Sequence, residues 1–243
     1  MSLGGNNARI FLNDVDLSCV TSAYDIENTT GEVDTTTICS TSMEYTPLSN
    51  RGKIGINGFF KGIIAGEQEA LENAIAAQDK VVAAVLDYTN LPAVSYCLEN
   101  AGNMNVTYSF PVEGVAAITG SFVGTQGLKR GMLNYYKTTI TATGLSAVTQ
   151  VPGTLVTSTG KVFAFIHTIN GTASTNIAFA VQSSANGSTG WANECTFSMP
   201  AVGASVASFT APLGEYFAIN TTSLGGATSF VLSLIFVIEG VTT

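Results

Sequence analysis

The sequence predicts an all-β protein, mainly β with one flanking helix, and three observations lead to it. The polar residues are dominated by Thr, Ser, Asn and Gly, which favour strands and turns over helices. The apolar residues come in short runs, several alternating with period two, as in Lys53-Ile-Gly-Ile-Asn-Gly-Phe59. Turn signals such as Asn170-Gly171, Asn186-Gly187 and Gly225-Gly226 separate these runs at strand-sized intervals.

The elements follow in order. Ala8 to Leu12 and Val15 to Leu17 read as two short strands joined by a tight Asn13-Asp14 turn. Further strands are expected over 17–26, 34–39, 53–60, 81–88, 103–110, 115–123 and 137–143. A helix is expected over 67–77, where Ala70, Leu71, Ala74 and Ile75 share one face and Glu67, Glu69 and Glu72 crowd the start, where the helix dipole favours carboxylates. A lone helix in a β domain most simply covers one side of a sheet. Beyond it, strands are expected over 162–168, 176–182, 192–198, 205–210, 216–220 and 229–238, a rhythm that suits a small antiparallel sandwich.

The texture of the chain changes at Gln150-Val-Pro-Gly153. Residues 1–150 hold 8 of the 9 basic and 14 of the 17 acidic side chains. The expectation is therefore two domains, 1–150 and 151–243. Only 11% of residues are charged while 46% are hydrophobic, a poor surface for a monomeric β protein and one that points to burial between subunits. The net charge of −8 without a basic cluster argues against attraction to nucleic acid phosphates. No secretory signal is read at the start, and no apolar run is long enough for a membrane span.

Chemistry-bearing motifs are scarce. Cys19, Cys39, Cys97 and Cys195 are far apart without a CxxC spacing and read as reduced, mostly buried residues. His167 is the only histidine, so nucleophilic catalysis would have one imidazole to draw on; it reads as a surface or packing residue. Asp14-Val-Asp16 has alternate carboxylates but lacks the other ligands and the Gly of a calcium loop. No phosphate-binding loop, GxSxG or HExxH occurs. The five Asn-x-Ser/Thr sequons follow from composition. The reading is of a protein that is not an enzyme, with no cofactor and no metal. One segment stands out: Thr41 to Lys53 is expected to form a long polar arm between two strands. Its Met43, Glu44, Tyr45, Pro47, Arg51 and Lys53 mix anchors and charges as subunit-contact surfaces do.

The opening Ala8-Arg-Ile-Phe-Leu-Asn-Asp-Val-Asp-Leu-Ser18 resembles the start of major tail tube proteins of long, non-contractile-tailed bacteriophages. So do Thr35-Thr-Thr37, Glu44-Tyr-Thr-Pro47, Lys53 to Phe60 with the following helix, and Gly127-Leu-Lys-Arg-Gly131. The resemblance covers about residues 8–148 and rests on layout and short, degenerate motifs. It implies a tail-tube-type β-sandwich or half-barrel in 1–150, followed by a small antiparallel β-sandwich on the tube exterior. It further implies a homo-oligomer of hexameric rings stacked into a tube that conducts genomic DNA without binding it, contacts with other phage tail proteins, and no membrane. The location implied is the virion tail, assembled in the bacterial host cytoplasm. Two alternatives stay open: another tail or head structural protein (tail terminator, baseplate hub, decoration protein), or a carbohydrate-binding or adhesin module lined by Trp191, Tyr216 and Phe217.

Overall fold

A computed structural model describes residues 7–34, 45–59, 67–75, 77–111, 113–114, 116–150, 159–172, 175–210 and 214–239. It is built almost wholly of antiparallel strands, as the composition predicts. Among the described residues, no helix is long and apolar enough to cross a membrane. Contacts divide the chain into two compact units. One gathers Met1–Asp16, Ala84–Ser95 and Arg130–Thr243, and the other gathers Leu17–Ala83 and Tyr96–Lys129.

The chain opens with the expected hairpin, β1 (Arg9–Leu12) and β2 (Val15–Asp16), with Phe11 opposite Asp16 and Leu12 opposite Val15. The turn residue Asn13 has a φ of 51°, a left-handed conformation that Asn tolerates better than most side chains. Ile10, Phe11 and Leu12 are buried.

In the second unit, β3 (Thr21–Asp34) pairs with β4 (Tyr45–Phe59), β4 with β7 (Ala117–Gly124), and β7 with the later part of β6 (Ala93–Ser109). β5 (Lys80–Val85) lies between β4 and β6 in sequence. Strand β7 alternates strictly, burying Ile118, Gly120, Phe122 and Gly124 on one face. Across the ladder Ile54 faces Phe122 and Ile56 faces Gly120. The helix α1 (Glu67–Asn73) lies over this face. A Cβ on Gly120 would stand 3.3 Å from Ile56 and 3.6 Å from Leu71, which places the helix residue Leu71 directly over this position of the sheet. Asn103, buried on β6, fixes the end of α1. Its Nδ2 donates to the Leu71 carbonyl at 3.0 Å, its backbone N–H donates to the Ala74 carbonyl at 2.8 Å, and its Oδ1 accepts from the Ser121 N–H at 3.2 Å. The helix therefore stops earlier than its apolar stripe suggests. Leu71 and Ala74 are buried, but Ile75 has turned into a bridge with Asn103 and is 48% exposed.

The first unit holds a sandwich of eight strands: β8 (Lys129–Ile140), β9 (Gly144–Gln150), β10 (Thr159–Asn170), β11 (Ile177–Ser184), β12 (Ala192–Met199), β13 (Gly203–Phe209), β14 (Tyr216–Ser223) and β15 (Ser229–Glu239). The order β13-β10-β15-β8, part of a longer sheet that goes on through β6, β5, β1 and β2, faces a second sheet of order β12-β11-β14-β9, and these eight strands have the order of a jelly roll. Phe179 meets Phe230 at 6.0 Å and Phe217 meets Phe236 at 4.7 Å between the sheets, in a core with Val162, Ile219 and Leu234. The Tyr135 hydroxyl crosses the same gap to donate to the Phe217 carbonyl at 2.9 Å, and burial pushes its pKa far up, so it stays a donor.

The compact units are thus not parted at residue 150. β8 and β9 precede that point yet complete the two sheets by pairing with β15 and β14. Charge misled here for a physical reason. Arg130 and Lys137 keep their charged heads at exposed positions of β8 while Leu133 and Tyr135 are buried, so charge density does not report which core a strand serves. The breaker-rich stretch 151–158 itself lies outside the described residues.

Two outcomes follow. A chain ending at Gln150 removes β15 from one side of β8 and β14 from β9, so amide exchange over 129–150 should lose protection relative to the full chain; retained protection there would show that these pairings are dispensable. Replacing Asn103 with Ala strands the buried Leu71 carbonyl and the half-buried Ser121 N–H and should cost about 1–3 kcal/mol in denaturant unfolding, with faster exchange at the end of α1.

Candidate assembly surface

Among the described strands, β3 pairs with β4 alone, so its other side is a long strand edge of 14 residues, about 45 Å at ~3.4 Å per residue. The pairing of β4 with β7 ends where Gly52 faces Gly124. Past that point, residues 45–51 of β4 and 29–34 of β3 pair only with each other among the described strands, from Thr29 opposite Arg51 to Asp34 opposite Tyr45. The result is a two-stranded ribbon extending roughly 20 Å at ~3.4 Å per residue beyond the third strand. An isolated two-stranded ribbon is at best marginally stable in water. An open edge that continues into a projecting ribbon is a surface suited to pairing with another chain.

The side chains of the ribbon's base are polar and arranged across the ladder. Lys53 Nζ lies 3.3 Å from Glu27 Oε2, directly opposite in register, and 3.9 Å from Asp25 Oδ2. Asp25 can lie across the strand because its partner is Gly55, where a Cβ would stand 2.4 Å from Asp25 Oδ1. Both carboxylates are more than half exposed, so these pairs contribute about 0–1 kcal/mol each and chiefly set register. Tyr24, half-buried next to them, has its hydroxyl pKa raised by burial.

The expected contact arm is distributed differently from its sequence reading. Met43 and Glu44 lie outside the described residues. Tyr45, Pro47, Arg51 and Lys53 are not in a loop but in β4, each with a partner across the ladder in β3. Arg51 is exposed, and Lys53 is engaged with carboxylates of its own chain. Pro47, which has no N–H to donate, sits opposite Glu32 beside a register shift between Thr30 and Glu32, where the ladder is already irregular. The sequence reading ended this strand at Ile26 and missed its extension through Asp34. The signal was present in alternation, Tyr24-Ile26 against Asp25-Glu27, followed by β-branched Thr29 and Thr30.

The remaining chemistry-bearing residues are occupied elsewhere. His167 is held between the Asp14 carbonyl and Ser233 Oγ, and Asp16 forms an ion pair with Lys137 at 2.7 Å. Among the described residues no group of three or more His, Cys, Asp or Glu is placed to hold a metal ion. Cys97 and Cys195 are buried, with burial pushing both thiols up, Cys195 to about 12; Cys19 is exposed. Phe217 is fully buried in the sandwich core and cannot line a sugar site; Trp191 and Tyr216 are half-buried.

No protein-family model matches the chain, and no curated protein matches its sequence. Solved structures with similarity include a protein of the virion of a native gene transfer agent particle, 15% identical, covering 53% of this chain and 98% of that one at a TM-score of 0.39. The tube-terminating cap of the anti-feeding prophage is 15% identical, covering 54% and 92% at 0.40. The Dit protein (gp 19.1) of SPP1, described as a paradigm of the hub adsorption apparatus in phages infecting Gram-positive hosts, is 10% identical, covering 95% and 98% at 0.33.

The cross-strand pair gives a direct test of the ribbon. Lys53→Glu places like charges opposite each other and should destabilise β3–β4 pairing by about 0.2–1 kcal/mol, read as faster amide exchange over 21–30 and 51–59. Adding Glu27→Lys should restore protection. A double variant no better than the single one would show that the pair does not hold the register.

Proposed function

We propose that the protein is a non-catalytic structural subunit of a phage-type tail, a tube subunit that assembles with copies of itself into stacked rings around a channel for DNA. The observation that carries this reading is the long edge of β3, which among the described strands pairs with β4 alone and continues with it into a two-stranded ribbon. A strand edge of that length in a monomer invites uncontrolled pairing. Natural proteins remove the hazard by covering the edge, and closing a ring of identical subunits covers every edge at once. The reading also accounts for a chain with so few charges, since a surface poor in charge is stable when much of it lies between subunits. The resemblance of residues 8–148 to tail tube proteins points the same way. In the assembled ring, the ribbon of one subunit lies against its neighbour, with Arg51 and the segment 43–47 at the contact. An acidic inner wall keeps duplex DNA from sticking during passage.

Negative-stain electron microscopy of the purified full chain tests this. Six-fold rings or tubes support the tube role. Single rings that never stack fit a hub or terminator instead, and monodisperse monomers at tens of micromolar with no assembly on concentration would sink the proposal. In the assembled form, fluorescence anisotropy with duplex DNA at low salt should show weak binding; tight, strongly salt-dependent binding would contradict passage without retention.

A further inference from the structure

We propose that His167 is an acid-sensitive tie that holds the turn of the N-terminal hairpin against the sandwich and lets it open as the pH falls. The tie is built where the ladder fails in neighbouring strands. The β10–β15 register skips His167 between Ile166 and Thr168, and the β15–β8 register shifts between Leu232 and Leu234, around Ser233. Lys137 of β8, beside this shift, takes a φ of 44°. These interruptions leave backbone groups to be satisfied by side chains. The Lys137 N–H donates to Ser233 Oγ at 2.9 Å, and Ser233 Oγ–H donates to His167 Nε2 at 2.9 Å. On the other side of the ring, Nδ1–H donates to the Asp14 carbonyl at 3.2 Å, in the turn between β1 and β2. A carbonyl can only accept, so Nδ1 carries the ring's proton. Ser233 already accepts from Lys137, so its own proton is the one available for Nε2. Every partner is satisfied only when the ring is neutral.

The surroundings enforce that state. Phe11 of β1 lies 4.8 Å from the ring, and Phe165 stacks 6.5 Å away at 10°. Ser233 is fully buried. The charged groups facing the ring are Lys137 from β8, which opposes its protonation, and Asp16 and Asp14 from the hairpin, which favour it; Asp16 is already paired with Lys137. Burial outweighs the carboxylates and holds the ring's pKa below its ordinary value. Protonation at Nε2 would aim two donors at Ser233 Oγ and leave the serine proton in a buried site with no acceptor in this network.

The sign of the linkage follows. With the hairpin turn open, the ring is hydrated and titrates near the ordinary value of about 6.5; with the turn closed it titrates lower. Between those two values the open form binds more protons, so opening is favoured as the pH falls, by up to about tenfold per pH unit, and is independent of pH above about 7. Because the chain has a single histidine, no other imidazole contributes.

Hydrogen exchange with mass spectrometry on the full chain, from pH 7.5 to 5.0 and corrected for intrinsic rates, reads the opening directly. Peptides covering residues 8–17 should lose protection below pH 6.5, by up to tenfold per unit, while β11 and β14 hold theirs. In His167→Gln, which keeps a donor and an acceptor but cannot titrate, the dependence should flatten. An equal dependence in that variant, constant protection in the wild type, or loss in parallel across β11 and β14 would each overturn the proposal. Nuclear magnetic resonance of the wild-type ring adds a test that needs no variant. Nε2 should be unprotonated at pH 7.5 with a midpoint below 6.5, and a ring titrating at or above 6.5 would overturn the proposal equally.

Discussion

Backbone hydrogen bonding at strand edges is the constraint from which the rest of this molecule can be read. A strand offers donors and acceptors on both sides, and each side must find a strand, a side chain or water. In the sandwich, β8 and β9 meet part of the demand by pairing with β15 and β14 from the far end of the chain. In the other unit β4 and β7 each lie between two strands, while β3 pairs among the described strands with β4 alone. The proposed assembly uses the long edge of β3.

Local solutions to the same constraint recur at smaller scale. Asn103 supplies both a donor and an acceptor where α1 ends and β6 is irregular, so one side chain replaces bonds that neither helix nor ladder provides. His167 and Ser233 do the equivalent where β10, β15 and β8 lose register. In both places a buried polar residue marks an interruption of regular pairing. These residues are sensitive points because what they satisfy has no second partner.

Much of the strand content was legible in the sequence, because period-two alternation in segments such as 53–59 and Asn-Gly or Gly-Gly turns state the backbone geometry locally. The first hairpin was legible to within one residue at each outer end, its turn at Asn13-Asp14 included. The reading failed where pairing, not propensity, decides. Residues 45–53 are Thr, Pro, Ser, Asn and Gly around two or three apolar groups and look like a loop, yet they form a strand because β3 lies alongside. The end of α1 was misplaced because Ala74 and Ile75 continue the helical stripe while Asn103, thirty residues later, captures the chain. The allocation of β8 and β9 was hidden for a similar reason: their partners are far away in sequence and their own charges resemble what precedes them. Of the candidate contact surface, the basic residues were visible, but the long edge of β3 that gives them meaning was not.

The pairing of β8 with β15 joins residues about a hundred positions apart, and β10 is paired on its two sides by β13 and β15. During synthesis, β8 and β10 therefore emerge long before the strands that complete them. Topologies with such distant partners fold slowly, since the entropy of closing large loops is lost before the contacts that offset it can form. For the length of that delay, the apolar face bearing Leu133, Phe163 and Phe165 has no finished sheet to rest in. A ribosome-bound chain of this protein would thus be most exposed to misassociation late in translation, and its yield would respond to translation speed and chaperone supply more than to the stability of the finished fold.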